Sequence, residues 1–533
     1  LMGLGLYEMY LNGSRVGDQV LSPAPTDYLK NVKYNSFEVS DLLIEGDNAI
    51  AVALGNGRYH SMRQHYKPYK IKNFGYPKLL LNLYIRYADG TEEVLSTDTT
   101  WKGTANGPIR SNNEYDGEIY DARKEFRGWT RSGFDDGAWL QADYVQEPGG
   151  IYEAQMNENM AVMDTVRPVS LVEHRPGVYI LDMGQNMAGY LKIRVEGRRG
   201  TSVKLRFAES LKEDGSLFTE NLRTALATDT YILHGQGPEE WQPAFVYHGF
   251  RYVEISGYPG TPDPTDFTGL VVYDRVPVTG SFNSSDSLLN QLFTNAFWSI
   301  NANYKGMPVD CPQRNERQPW LGDHAVVSHT ESYVFDNSRL YAKWLDDIRY
   351  SQRADGSIPD VAPAFWRYYS DNMSWAGTYL IVADMLYRQY GDLSSLRKHY
   401  PYMKNSLAYM KQHYLVDGIL IKDSYGDWCA PPVTIEAGKG MSGNVKHPSA
   451  LISTAYYYHF MRLMQEFAVL TQNEEDVALF RQEAVQVQES FKREFLLDTR
   501  EGYGNNSLTE NLLALSFGLV PPELEKRMLC LLY

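Results

Sequence analysis

The sequence has no uninterrupted apolar run long enough to span a bilayer, and its 533 residues include only three cysteines. The first absence excludes a membrane-spanning helix within these residues. Cys311, Cys429 and Cys530 lie far apart, without a Cys-x-x-Cys pair and in odd number, so neither a disulfide framework nor zinc-ligand spacing is present. The compartment stays open between periplasmic or secreted and cytoplasmic, because many exported enzymes also lack disulfides. Positive charge is scarce too. Against 51 Lys and Arg stand 66 Asp and Glu, a net charge of −15, with no Lys/Arg block. A nucleic-acid partner needs concentrated cations to displace counterions, and is not expected. No P-loop, Gly-x-Gly-x-x-Gly or Gly-x-Ser-x-Gly sits in a strand–turn–helix context, and no cofactor is expected. His324 and His329, five apart, splay on a helix and lack a completing carboxylate motif, so no metal is expected either.

What is abundant is aromatic. The 40 Tyr, 20 Phe and 10 Trp suit the apolar faces of sugar rings, although β-sandwich cores consume such side chains as well. With 43% hydrophobic and 22% charged residues the chain has the composition of a soluble globular protein, and its length calls for two to four domains. The chain opens inside an apparent strand, Leu6-Tyr7-Glu8-Met9-Tyr10-Leu11 followed by an Asn12-Gly13 turn. It closes inside an uncapped apolar helix around Leu524-Glu525-Lys526-Arg527-Met528-Leu529. Both ends are expected to be internal to a longer protein.

Through the first half, short β-branched or aromatic runs alternate with Gly, Asn and Asp turns: Asn48 to Leu54, Leu79 to Tyr87 before Asp89-Gly90, Tyr190 to Val195, Phe250 to Ile255. That pattern predicts β-sandwiches, not βαβ units, with a division near Gln146-Glu147-Pro148-Gly149-Gly150. After Phe282 the period becomes helical. Leu289, Leu292, Phe293, Ala296, Phe297 and Ile300 share one face behind a Ser285 or Asp286 cap. Further amphipathic segments are predicted near 338–351, 375–390, 394–413, 449–470, 475–495 and 508–518, for roughly nine helices. Connections longer than a simple bundle needs suit a helical toroid with a site at one end.

The densest chemistry is in Asp310-Cys311-Pro312-Gln313-Arg314-Asn315-Glu316-Arg317-Gln318-Pro319-Trp320-Leu321-Gly322-Asp323. Pro312, Pro319 and Gly322 interrupt helix, so this reads mostly as a loop holding three carboxylates, two guanidiniums and a Trp. Glycoside hydrolysis requires a proton donor for the leaving oxygen, a carboxylate to activate water, and charged donors and acceptors for sugar hydroxyls. A solvated loop of compensating charges is the plain alternative.

This stretch resembles the signature of family 78 glycoside hydrolases, the bacterial α-L-rhamnosidases. Tyr7 to Gly13, Tyr115 to Arg123, Asp182 to Asn186, Thr219 to Arg223 and His248 to Tyr252 resemble the same family, in its order. The resemblance implies N-terminal jelly-roll-like β-sandwich domains (1–150 and a concanavalin-like 151–278) ahead of an (α/α)6 barrel, 279–533, cut short at its C-terminal end. It implies inverting hydrolysis of terminal α-L-rhamnose from glycosides or polysaccharides, with Glu316 as general acid. Asp310, Arg314 and Asp323 would bind hydroxyls and tune the acid, while Trp320, Trp375 and Trp428 would wall the pocket. For each Trp, burial in the barrel core is the alternative. The family's base is a Glu on a later loop that falls beyond residue 533; Glu436 and Glu510 do not match it, so residues 1–533 alone are expected to be inactive. Asn315, Gln318, Pro319 and Gly377 depart from the family's pattern, the last standing where an Asp is common. Those departures keep open another inverting (α/α)6 glycosidase of different sugar specificity. A non-catalytic carbohydrate-binding protein is the rival from a different class.

Overall fold

A computed structural model describes residues 1–61, 73–427 and 449–530. Trp428, Cys429 and Glu436 lie outside the described residues. The chain divides into two compact units, residues 1–319 with 334–340, and residues 320–333 with 341–533.

In the first unit the strand Leu6–Leu11 alternates half-buried and buried positions, burying Tyr7, Met9 and Leu11. It pairs antiparallel with Ile50–Gly55 and folds back onto Ser14–Arg15. Asn12 and Gly13, at φ 53° and 87°, supply the two left-handed residues that a tight hairpin demands. The run expected from Leu79 to Tyr87 is two strands. Leu81, 2% exposed, turns into the core with Tyr7, Met9 and Val16. Lys78–Leu80 then pairs with Met2–Leu4, and Asn82–Arg86 with Glu92–Ser96 through the Asp89-Gly90 turn. Just past the Pro-Gly stretch, Ile151–Ala154 runs parallel to Asn31–Tyr34.

The larger sheet of this unit has ten strands. In spatial order its main path is Ile109–Asn113, Gly117–Asp121, Thr228–Ile232, Ser202–Ala208, His248–Ser256, Val178–Val195, Phe267–Asp274 and Met160–Val166. The 18-residue strand Val178–Val195 is its spine, with a register shift between Asp182 and Met187 that lets one strand serve several partners. Leu181, Leu191, Ile193, Leu205, Phe207, Val253 and Phe267 form the dry face. Helix α1, Ser287–Ala302, is capped by Asp286, whose carboxylate accepts from the N–H groups of Leu288 and Leu289. Phe293, Phe297, Trp298 and Ile300 pack on that core. Leu289 and Leu292, expected on the same face, are 46% and 64% exposed, because the stripe that meets the sheet is narrower and includes Trp298.

The second unit is helical: α2 (Leu321–Glu331), α3 (Ser338–Ser351, mostly within it), α4 (Met373–Ala376), α5 (Thr378–Tyr390), α6 (Leu393–Tyr414), α7 (Ser449–Leu470), α8 (Glu474–Phe495), α9 (Leu508–Ser516) and α10 (Pro522–Cys530). Helix α5 packs on α6 and α7 on α8 as sequential pairs, while α2 packs on α5. Gly391, at φ 69°, ends α5 and Asp392 caps α6 through the N–H of Ser395, so two residues make the whole connection. The segment expected as one helix over 375–390 is divided at Gly377 into α4 and α5. Tyr379, Leu380, Met403, Leu407, Phe460, Met464, Phe467 and Phe491 are among its core residues.

Candidate active site

The loop from Asp310 to Pro319 is wound around a buried cation. Arg317 is 0% exposed and sits at φ 50°. Its guanidinium donates to the carbonyls of Arg314 (3.0 Å), Gln313 (3.1 Å), Tyr247 (2.8 Å) and Glu114, between the rings of Tyr115 and Tyr247. Arg58, paired with Glu114 at 2.9 Å, donates in turn to the Arg317 carbonyl. Gln318 Nε2 and the Tyr115 hydroxyl both donate to the Glu316 carbonyl, at 2.8 and 3.3 Å. The carbonyls of Gln313, Arg314, Glu316 and Arg317 are thus held by side-chain donors instead of by helix or sheet.

On this frame the Glu316 side chain is only 10% exposed. Its Oε2 accepts from Arg314 Nε at 2.9 Å and from Arg223 Nη1 at 2.6 Å. Arg314 Nη2 also donates to Asp310 Oδ2 at 2.8 Å, and Asp310 Oδ1 accepts from the N–H of Gln318 at 2.6 Å. Burial, with the Glu316 carboxylate next in weight, pushes the Asp310 carboxyl up to about 7. Asp310, Arg314 and Glu316 are therefore brought together as a carboxyl–guanidinium–carboxyl chain.

Arg223 was not among the residues picked out from sequence. It lies 93 residues before Glu316 and closes the short 3-10 turn Glu220–Leu222. The stretch Thr219 to Arg223 drew attention only as family-like. No local pattern tells which of its side chains faces a loop so far along the chain.

The other expected site residues belong to the second unit. Trp320 precedes α2 and is bridged to Val361, its ring against Trp366 and Tyr368, both at 6.0 Å. Asp323 is exposed in the first turn of α2, where the helix dipole favours a carboxylate. Trp375, half-buried in α4, meets Tyr425 at 4.4 Å. A Cβ on Gly322 would come within 2.1 Å of the Trp375 ring, so the glycine in the motif serves close approach of α2 to that indole. Tyr425 donates to Asp360 Oδ2 at 2.6 Å, and burial raises the Asp360 carboxyl above its usual range. Asp423 accepts from Ser374 Oγ (2.6 Å) and from the N–H groups of Tyr425 and Gly426, tying the segment just before Trp428 to α4.

Three of the departures from the family pattern have evident structural partners. Asn315 Nδ2 donates to Thr224 Oγ1 at 2.5 Å. Gln318 braces the Glu316 carbonyl. Gly377 faces Phe460: a Cβ there would lie 2.0 Å from Cε2 and Cζ of the ring. Gly377 is thus a packing position against Phe460 in the helical core. Gly377→Ala should destabilise the helical unit by about 2–3 kcal/mol through overpacking. Gly377→Asp should cost more, because it adds a carboxyl to a dry contact. Urea melts followed by circular dichroism would check both; an unchanged midpoint for Asp would contradict the packing assignment.

Glu510 is 1% exposed and used internally, closing a capping box with Ser507 on α9 and accepting from the N–H of Asn505 at 2.9 Å. His324 packs against Tyr341 and Trp344, whereas His329 faces Asp384 at 3.8 Å, so the two rings serve different neighbours.

Sheet-rich domains thus precede helical hairpins in the chain, and the loop between them in sequence carries a buried carboxyl held by Arg314 and Arg223. Comparison with known families makes this specific. Residues 1–164 match the α-L-rhamnosidase N-terminal domain, 172–273 the bacterial α-L-rhamnosidase concanavalin-like domain, and 277–529 the bacterial α-L-rhamnosidase 6 hairpin glycosidase domain. An α-L-rhamnosidase of Streptomyces avermitilis is 38% identical over 98% of this chain and 49% of its own length. The structure of α-L-rhamnosidase from Dictyoglumus thermophilum superimposes with TM-score 0.92 at 38% identity, over 100% of this chain and 58% of that one. The S. avermitilis enzyme complexed with L-rhamnose gives 0.93 at 36%, over 100% and 50%. The chain belongs to the bacterial α-L-rhamnosidase family. It spans about half the length of the curated relatives it matches.

Proposed function

We propose that the protein containing this chain hydrolyses terminal non-reducing α-L-rhamnose from glycosides or polysaccharides with inversion of configuration. The observation that carries the reading is likeness along the whole chain to a rhamnosidase complexed with L-rhamnose. The buried, doubly held carboxyl of Glu316 supports its chemistry. Glu316 gives its proton to the leaving glycosidic oxygen. Asp310, Arg314 and Asp323 take sugar hydroxyls, Asp310 also orienting Arg314, and Trp320, Trp375 and Trp428 offer ring faces to the sugar. The base that activates water is a second carboxylate outside residues 1–533, about 6.5–9.5 Å from the acid as inversion requires; Glu510 is already committed to its cap.

Hydrolysis of a panel of chromogenic glycosides by the full-length gene product tests this. The expected result is turnover of the α-L-rhamnoside, with β-L-rhamnose as the first product by NMR. Activity confined to another sugar would transfer the reading to a different inverting glycosidase. An α first product would reject the two-carboxylate spacing.

A further inference from the structure

Building on that reading, we infer that Arg223 is a positioning residue for the general acid, holding the Glu316 carboxyl from outside the acid's own loop. Arg314 is two residues from Glu316 and moves with the loop that carries it. Arg223 comes from a separate segment and reaches the same oxygen at 2.6 Å. A second tie lies beside it, since the next residue, Thr224, accepts from Asn315, the residue before the acid, at 2.5 Å. Two adjacent side-chain bonds therefore clamp 223–224 to 315–316, one charged and one neutral. Leu222, 1% exposed, anchors the turn from below.

The backbone is consistent with this role. Arg223 sits at φ 60°, ψ −109°, outside the favoured regions for a residue with a side chain. Such strain costs about 1–3 kcal/mol and persists where surrounding contacts over-determine it, which is characteristic of functional sites. A plain surface ion pair would require no such backbone. It would also contribute only about 0–1 kcal/mol of stability and leave no mark on catalysis.

The charged and titratable groups around the acid include Arg314, Asp310 and Cys311 on its own loop and Arg223 on the turn. Arg317, Arg58 and Tyr115 lie behind its backbone. Removing Arg223 leaves the carboxyl held by Arg314, which moves with the acid's own loop, so the carboxyl can turn away from the leaving oxygen.

The test compares the full-length product with its Arg223→Gln and Arg223→Lys variants on an unactivated aryl α-L-rhamnoside and on a dinitrophenyl α-L-rhamnoside, whose leaving group departs largely without a proton. For Arg223→Gln, kcat on the unactivated substrate should fall about 10- to 100-fold with KM within about twofold. The loss on the dinitrophenyl substrate should be much smaller. Arg223→Lys, which keeps the charge, should recover about tenfold in rate. Equal losses on both substrates, or a lysine variant no better than glutamine, would overturn the inference. If wild type leaves both rhamnosides intact but turns over another pair of aryl glycosides with the same pattern among the variants, the proposed substrate fails and the clamp on Glu316 stands.

Discussion

With Glu316 as the general acid proposed above, Glu316→Gln in the full-length product should lower kcat/KM on an unactivated rhamnoside by about 10³- to 10⁴-fold, near the upper range for removal of one such acid. The substitution keeps the side chain's shape, and Arg314 and Arg223 can still address its carbonyl oxygen, so the loop wound on Arg317 has no reason to collapse. What disappears is the proton. A poor leaving group needs that proton in the transition state, whereas a dinitrophenolate departs largely without help. The same variant should therefore lose far less, on the order of tenfold, on a dinitrophenyl rhamnoside. Rhamnose affinity by calorimetry should change little, because the residues proposed to hold the sugar hydroxyls are untouched. Equal losses on both substrates would mean that Glu316 acts in binding or positioning. Full activity on both would place the acid elsewhere and turn the resemblance into one of fold alone.

How far the chain could be read in advance depended on whether the signal was local. The Asn12-Gly13 hairpin, the Asp286 cap and the Gly391-Asp392 break are dictated by residues within a few positions of one another, and each appears where the spacing places it. Tertiary demands were less visible. Leu81 divides a run that looks continuous because it must reach a small core. Leu289 and Leu292 keep helical phase with Phe293 yet stay exposed, since period says which residues share a face and not how wide a surface covers it. The division near Gln146 to Gly150 rested on composition. Strand pairs cross that stretch: Gly117–Asp121, well before it, joins the sheet built on Val178–Val195, and Ile151–Ala154 returns to Asn31–Tyr34.

The site shows the same limit. Asp310, Arg314 and Glu316 fall within seven positions, and their joining through one guanidinium follows from a motif legible by eye. Arg223 holds the same carboxyl from 93 residues away, and only the folded chain shows it. Gly377 stands where the family commonly has Asp, and nothing local in the sequence shows that it lies against Phe460. The motif's two arginines likewise carry no label saying which points outward. Arg314 faces the carboxyls, and Arg317 is swallowed by the backbone.

That division of labour sets the second large effect. Arg317→Met should destabilise the protein by about 3–5 kcal/mol and reduce activity without touching any reacting atom. Buried charges can often be exchanged for apolar side chains at little cost when both partners of an ion pair are replaced. Here the partners are main-chain carbonyls of Gln313, Arg314, Glu114 and Tyr247, which no side-chain change removes. Each buried acceptor left unsatisfied costs about 1–3 kcal/mol, partly recovered where water enters. Methionine fills much of the space between Tyr115 and Tyr247 but offers those carbonyls nothing. Arg317→Lys, with three donors on a single nitrogen and no planar fork, should reach fewer of them and fall between wild type and Met. Urea midpoints order the three proteins, and rhamnoside turnover well below the Met variant's melting range reports the loop itself. Loss of stability with full turnover would show that the acid keeps its place without the buried guanidinium. An unchanged midpoint would show that the carbonyls find other donors and that the loop is not wound on Arg317.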